Sequence, residues 1–195
     1  MARYGKEHKE ATRQRIIETA GRRLKQDGID GSGIATLMAD AQLTNGAFYA
    51  HFTSKEDLVA SVVSHELEAQ AASFTALAPG RAGLEDFVRE YLSPQHRDSR
   101  NLGCPSAALL DELGRCTNTT KHAYTSGARV ILDEIASRLV PEDPTSARGT
   151  TLGLYTMMIG TLQLARALDD PKLADQVLKQ GIENALELLR SNQRA

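Results

Sequence analysis

Apolar residues along this 195-residue chain recur mostly every three or four positions, which is the spacing of one face of a helix. Strict alternation of apolar and polar residues, which is typical of strands, is almost absent. The pattern therefore predicts an all-α protein. The clearest stripe lies near the C-terminus and consists of Ala174, Val177, Leu178, Gly181, Ile182, Ala185, Leu186 and Leu189.

Caps and helix breakers divide the chain into its predicted helices. Thr44 is a good N-cap for a short helix that runs to Ala50, after a turn at 40–43. Thr53 and Glu56 have the capping-box spacing at the start of a long helix that ends near residue 77. Residues 95–103 are polar and are predicted to be a loop. The first predicted helix ends at Gly28. The remaining predicted helices cover about 32–41, 84–93, 105–115, 119–139, 146–168 and 172–189.

The formal net charge of −2 does not by itself indicate a nucleic-acid partner. The charge is unevenly distributed, however, because the first 25 residues contain eight basic and three acidic side chains. Such an asymmetry favours an anionic partner at the N-terminal end of the chain.

The second and third predicted helices, joined by a short turn, have the layout of a helix-turn-helix motif. A reading helix needs small or polar residues at its exposed N-terminal end, because bulky ones would block the groove. Flanking donors are needed to hold phosphates. The residues that meet the first requirement are Thr44, Asn45, Gly46 and Ala47, and the flanking donors are Tyr49, His51 and Lys55.

Residues 37–52, LMADAQLTNGAFYAHF, are followed at 54–58 by SKEDL. Together they resemble the signature of the TetR/AcrR family of transcriptional regulators, and the resemblance is specific over about residues 12–58. It implies phosphate contacts for Thr44, Tyr49, His51 and Lys55. It implies that Asn45, Gly46 and Ala47 face the bases.

Two positions depart from the family pattern. Gln42 stands where the family usually has glycine, and Met38 stands where it usually has a small alanine. Gln42 must therefore either adopt a left-handed backbone conformation or shift the turn. Residues 103–109 also resemble a subset of these regulators.

The resemblance implies a homodimeric repressor that binds a palindromic DNA operator and is released by a small-molecule inducer. Residues 1–53 would form a three-helix DNA-binding domain. Residues 54–195 would form a helical bundle that holds the inducer and the dimer interface.

The middle helices supply apolar and aromatic side chains that could line an inducer pocket. The alternative is that these side chains simply fill the core. The candidate ligand-binding residues are Phe87, Tyr91, Cys104, Leu109, Leu113, Tyr124 and Met157.

Cys104 also suggests an alternative function for the protein, in which this cysteine senses redox state or electrophiles. A helix N-terminus, such as the one predicted at Pro105, lowers the pKa of a thiol. No basic residue lies between 102 and 114, however, and apolar residues follow the cysteine. Apolar surroundings oppose the helix effect, so reversible binding of a small molecule is the favoured interpretation.

The last two helices are candidates for a dimer interface. Glycine inside a helix is unfavourable, so several of them suggest close approach of another helix. Packing within one chain is the alternative. The candidate interface residues are Gly153, Gly160, Leu178, Ile182 and Leu186.

The sequence contains no nucleotide-binding, zinc-protease or nucleophile-elbow motif, and its five histidines are scattered. We therefore expect no enzyme activity, no cofactor and no metal site. A helical dimerisation module without DNA binding is the remaining alternative function.

Two cysteines without a Cys-x-x-Cys pair fit a reducing cytosol, so we expect a cytoplasmic protein. The longest run without a charged residue, 149–165, is shorter than the roughly 20 apolar residues of a membrane span. We expect no membrane partner.

Overall fold

A computed structural model describes residues 2–191, with side chains from residue 6 onward. The described residues form helices and no strand, as expected of an all-α protein. The α-helices are α1 (Ala2–Asp27), α2 (Ile34–Asp40), α3 (Lys55–Ser73), α4 (Gly80–Tyr91), α5 (Pro94–Asp98), α6 (Pro105–Arg115), α7 (Asn118–Leu139), α8 (Arg148–Ala167) and α9 (Pro171–Ser191). Short 3₁₀ helices cover Asn45–Ala50, Phe74–Ala76 and Arg100–Leu102.

The N-terminal unit is organised around one apolar cluster. Ile16 and Leu24 of α1, Leu37 and Met38 of α2, and Phe48 of the following 3₁₀ helix are all fully buried. Each such side chain contributes roughly 1.5–3 kcal/mol when it leaves water. The third helix is therefore held by the burial of one aromatic ring, although it is a 3₁₀ helix rather than the expected α-helix.

The turn between α2 and the 3₁₀ helix contains a left-handed residue. Gln42 has φ = 57° and is the one non-glycine residue with positive φ in the described chain. Its amide donates to the carbonyl of Ala39, and the amide of Leu43 donates to the carbonyl of Met38. The first of the two expected solutions at Gln42 is therefore confirmed.

Helix α3 begins one residue later than the capping-box pattern suggested. Ser54, not Thr53, is the N-cap, and its hydroxyl accepts the backbone N–H of Asp57 at 3.1 Å. The carboxylate of Asp57 in turn accepts the backbone N–H and the hydroxyl of Thr53. Ser54 and Asp57 therefore cap the helix, with Asp57 bonded to Thr53, and the expected capping box of Thr53 and Glu56 was wrong.

Helices α3 to α9 form the C-terminal bundle. Helix α3 packs along α7 and also touches α1, whereas α8 packs along α9. The expected loop at 95–103 contains the short helix α5 and a 3₁₀ turn at Arg100–Leu102 that lies against α1. The division of the chain at residue 53 remains our own prediction, because α3 contacts elements on both sides of it.

Two of the expected interface residues lie inside one chain. Leu178 and Leu186 are 2% and 5% exposed. A Cβ at Gly181 would clash with Thr161, so this glycine allows α9 to lie close to α8. The apolar stripe of α9 is therefore mostly covered by its own chain, and a dimer contact by Leu178 and Leu186 stays a prediction.

The left-handed conformation of Gln42 generates a prediction about stability. We expect Gln42→Gly to raise the free energy of unfolding by about 0.5–1 kcal/mol, because the relief of left-handed strain exceeds the entropy that glycine adds to the unfolded chain. Chemical denaturation measures this. Gln176→Gly, in the exposed face of α9, is the matched control and should lower stability by about 1 kcal/mol. A loss of stability in Gln42→Gly would show that the turn is unstrained.

Candidate nucleic-acid interface and ligand cleft

The outer face of the 3₁₀ helix Asn45–Ala50 is open to solvent. Thr44, Asn45 and Gly46 are exposed, and Tyr49 is 70% exposed. Thr44 has extended backbone angles, but its hydroxyl makes no capping hydrogen bond. These side chains are therefore available to an external partner, and Ala47 lies half-buried behind them.

Aromatic packing holds this face against α1. Phe48 is fully buried, and its ring centroid lies 5.6 Å from that of Phe52. The guanidinium of Arg13 lies 4.9 Å from the centre of the Phe52 ring on the side of α1. Tyr49 packs edge-on against Phe48 at 5.2 Å while most of its surface stays open to solvent.

Lys55 is less free than the sequence suggested. Its ammonium donates a 2.5 Å hydrogen bond to the carbonyl oxygen of Ile29, so the first turn of α3 is tied to the loop that follows α1. The side chain is half-buried. A phosphate contact by Lys55 stays a prediction, and any such contact would use the remaining N–H groups.

His51 lies half-buried between the 3₁₀ helix and α1. Burial lowers its pKa, and the positive charges of Lys9 and Arg13 lower it further. Its Nδ1 is buried and has no hydrogen-bond partner among the described residues. The imidazole is therefore favoured in its neutral form, and basic residues of α1 lie near the exposed face.

A cleft of about 630 Å³ opens in the C-terminal bundle. Three of the seven expected ligand-binding residues line it, namely Phe87, Tyr91 and Cys104. The residues that the sequence did not indicate include Glu66, Gln70 and Ser73 of α3, Glu90 of α4, and His96 and Leu102 from the segment expected to be a loop.

The other four expected residues do not line this cleft. Leu109 and Leu113 are buried on α6 as part of the core. Tyr124 donates a 3.1 Å hydrogen bond to the hydroxyl of Ser106, which lies 2.8 Å from the hydroxyl of Tyr155. Met157 packs half-buried against the core. Leu109, Leu113, Tyr124 and Met157 therefore pack against neighbouring helices in this structure, and a role for them in ligand binding stays a prediction.

Phe87, Tyr91 and His96 form an aromatic wall of the cleft, and the buried ring of Phe74 lies behind Phe87. The centroids of Phe74 and Phe87 are 4.7 Å apart, and those of Phe87 and Tyr91 are 5.7 Å apart. His96 meets Tyr91 edge-on at 4.7 Å. This wall suits a flat or apolar ligand.

His96 organises the polar side of the cleft. Its Nδ1 donates to the carbonyl of Tyr91 at 2.7 Å, and its Nε2 accepts the backbone N–H of Cys104 at 3.1 Å. This arrangement requires the neutral imidazole, and burial lowers the pKa of His96 accordingly. The thiol of Cys104 donates to Oε1 of Gln70 at 3.2 Å, so the cysteine is positioned by two helices.

Within residues 2–191, no group of three or more histidine, cysteine, aspartate or glutamate side chains could hold a metal ion. No helix in the same range is long and apolar enough to cross a membrane.

Comparisons with known proteins agree with this geometry. Residues 16–62 match the family model described as "Bacterial regulatory proteins, tetR family". The regulator AcrR of Shigella flexneri is 36% identical over 62 residues, which cover 32% of this chain and 29% of AcrR. The repressor NemR of Escherichia coli strain K12 is 24% identical over 133 residues, which cover 66% of this chain and 67% of NemR.

Solved structures extend the likeness to the whole fold. The reduced form of E. coli NemR superposes with a TM-score of 0.76 at 19% identity, over 90% of this chain and 95% of that one. AibR, solved with isovaleryl coenzyme A and operator DNA, superposes with a TM-score of 0.60 at 15% identity, over 88% of this chain and 96% of that one. At these identities the likeness shows a shared fold.

The neutral His96 generates a prediction about pH. Because its pKa is lowered in the folded chain, the unfolded chain binds more protons below about pH 6.5, and stability decreases as the pH falls from 7 toward 5. We expect His96→Gln to lower stability at pH 7 by about 1 kcal/mol and to reduce this decrease. Urea denaturation at a series of pH values measures both effects. His122→Gln, at an exposed position of α7, is the control and should leave the pH profile unchanged. An unaltered profile in His96→Gln would refute the assignment.

Proposed function

Because this chain belongs to the TetR/AcrR family of transcriptional regulators, we propose that it is a cytoplasmic repressor that binds a palindromic operator as a homodimer. A small molecule bound in the cleft would release it. The single observation that carries the DNA-binding proposal is the exposed face formed by Thr44, Asn45, Gly46 and Tyr49, held in place by the buried ring of Phe48.

The two kinds of side chain on this face would have different tasks. Asn45 can form paired hydrogen bonds with the edge of adenine in the major groove. Gly46 and Ala47 are small enough to let the backbone approach the bases. Donors around them would bind phosphates, which fixes the position of the protein without reading sequence. The proposed phosphate contacts are Thr44, Tyr49, His51 and Lys55.

A palindromic operator requires two copies of this face about one helical turn of DNA apart. Helix α8 offers a surface for the necessary dimer. Leu152 and Leu164 are 42% and 53% exposed on a face that they share with Gly153 and Gly160. No described atom lies within 4 Å of a Cβ built at Gly160, so packing within one chain does not require that glycine. Ile182 on α9 is half-buried and completes the proposed surface.

The cleft is the proposed inducer site. Its volume, its aromatic wall and its hydrogen-bonding groups fit a small, mostly apolar molecule. AibR, which shares the fold, was solved with both an acyl-coenzyme A ligand and operator DNA, which supports one chain serving both tasks. Phe87, Tyr91 and Cys104 are the expected ligand contacts that we retain.

The thiol-sensing alternative rests on the position of Cys104 in the wall of the cleft. Its thiol donates a hydrogen bond to Oε1 of Gln70, which holds the sulfur against α3. Cys104 is also only 7% exposed. Reversible binding therefore remains the function that we propose.

Selection of bound duplexes from a random DNA library tests this function. We expect the wild-type protein to enrich an inverted repeat whose half-sites are centred about 34 Å apart. Tyr49→Phe should weaken binding to every selected sequence, whereas Asn45→Ala should change which base is preferred at one position of each half-site, because base discrimination of about 1–3 kcal/mol is lost there. Failure to enrich any sequence would refute the proposed function, and a uniform loss in Asn45→Ala would refute its base-reading role.

The dimer surface makes a separate prediction. Leu152→Glu combined with Leu164→Glu should give folded monomers, because charges would be buried between two copies of α8 without partners. Sedimentation measures the mass, and circular dichroism measures the helix content. Val130→Glu, at an equally exposed position of α7, is the control and should remain dimeric. A dimer that survives the double substitution would place the interface elsewhere.

A further inference from the structure

A buried ion pair joins the DNA-binding unit to the cleft. The ammonium of Lys25 on α1 lies 2.6 Å from Oε2 of Glu66 on α3, and the two side chains are 4% and 18% exposed. A Cβ at Gly21 would clash with Oε1 of Glu66, so the glycine leaves room for this carboxylate against α1. Among the described residues, the ammonium of Lys25 donates a hydrogen bond to the carboxylate of Glu66.

Glu66 is at the same time part of the cleft wall. A second carboxylate, that of Glu90, also lines the cleft, but Glu90 is exposed to solvent. Among the described residues, no lysine or arginine lines this cleft. The charged side chains that line the cleft are therefore two glutamates, whereas Lys25 and Arg166 lie behind the wall. The faces of the aromatic rings of Phe87 and Tyr91 also attract cations.

We propose that the inducer of this protein is an organic cation, with a protonated nitrogen on an apolar body, and that its nitrogen pairs with Glu66 in place of Lys25. This inference rests on the proposed function, since it names the ligand and the release step of the same regulator. A neutral ligand would leave the ion pair intact, and an anionic ligand would meet two carboxylates.

Displacement of Lys25 has a mechanical consequence. Loss of the anionic partner leaves a charge uncompensated on a lysine that is 4% exposed, which favours a movement of α1 that brings the ammonium toward water. Helix α1 also carries Arg13, which packs on Phe52, and Ile16, which is buried in the cluster around Phe48. Movement of α1 therefore changes the support of the exposed DNA-binding face. By linkage, the DNA-bound state must bind the cation more weakly.

Three probes with the same aromatic body test the ligand class. They are 2-naphthylmethylamine, which is protonated at neutral pH, 2-naphthylmethanol and 2-naphthoate. We expect calorimetry to show that the amine binds the wild-type protein at least about tenfold more tightly than the alcohol or the acid, as one charge-assisted hydrogen bond implies. Equal binding of the three probes, or binding of none, would overturn the inference.

Variants of the two carboxylates locate the effect. Glu66→Gln should abolish the preference for the amine, whereas the matched control Glu90→Gln should retain it. If Glu66→Gln does not fold, Glu66→Asp provides the comparison, because the shorter carboxylate keeps the charge and should weaken amine binding without removing the preference. A preference that Glu66→Gln retains, or that Glu66→Asp leaves at full wild-type strength, would show that Glu66 is not the partner.

The release step is tested by fluorescence anisotropy of the DNA sequence selected by the wild-type protein. We expect the amine to lower DNA affinity and the alcohol and acid to leave it unchanged. Glu66→Gln should bind this DNA more weakly even without a probe. If the wild type binds no DNA, the proposed function fails. If it binds DNA but the bound amine does not lower the affinity, only the coupling through Lys25 fails.

Discussion

The structure depends on the burial of one face of α3, from Leu58 to Leu67. Val62 lies beside Gly21 of α1, and Leu67 lies beside Gly127 of α7, so one helix is packed into both the N-terminal unit and the C-terminal bundle. Because packed interiors do not deform continuously, a change at the cleft end of α3 cannot be absorbed locally. The same helix carries Glu66, which contacts α1 directly and borders the cleft. The proposed DNA-binding face and the proposed ligand site are therefore linked through one helix.

The N-terminal unit could largely be predicted from sequence, because its function and its packing impose the same pattern. Phe48 has to be buried and Tyr49 has to be exposed, and a short helix points these two adjacent side chains in different directions. The sequence could not show that this helix is 3₁₀, since six residues contain too little periodicity to distinguish the two forms. Gln42 stands at a turn position where glycine is usual, and this conflict was visible in the sequence. In the structure Gln42 adopts the left-handed backbone conformation.

The cleft could be predicted only in part, for a physical reason. Helical periodicity identifies the buried face of each helix, but it does not show where two buried faces separate. Leu109 and Phe87 both lie on apolar faces, yet only Phe87 borders empty space. The same limit explains Leu178, whose apolar stripe indicated burial without indicating which chain covers it. A better signal for the cleft was the polar character of Gln70 and Ser73 on the C-terminal part of α3.

The central claim is that the N-terminal unit of this chain binds duplex DNA through its phosphates and bases. The most direct test is the affinity of the full-length protein for a fluorescent duplex that carries the selected sequence, measured over a range of salt concentrations. We expect the logarithm of the association constant to fall linearly with the logarithm of salt concentration, with a slope of about −4 or steeper, because several phosphates are neutralised in each complex. An affinity that does not respond to salt, or no measurable binding at low salt, would contradict the account.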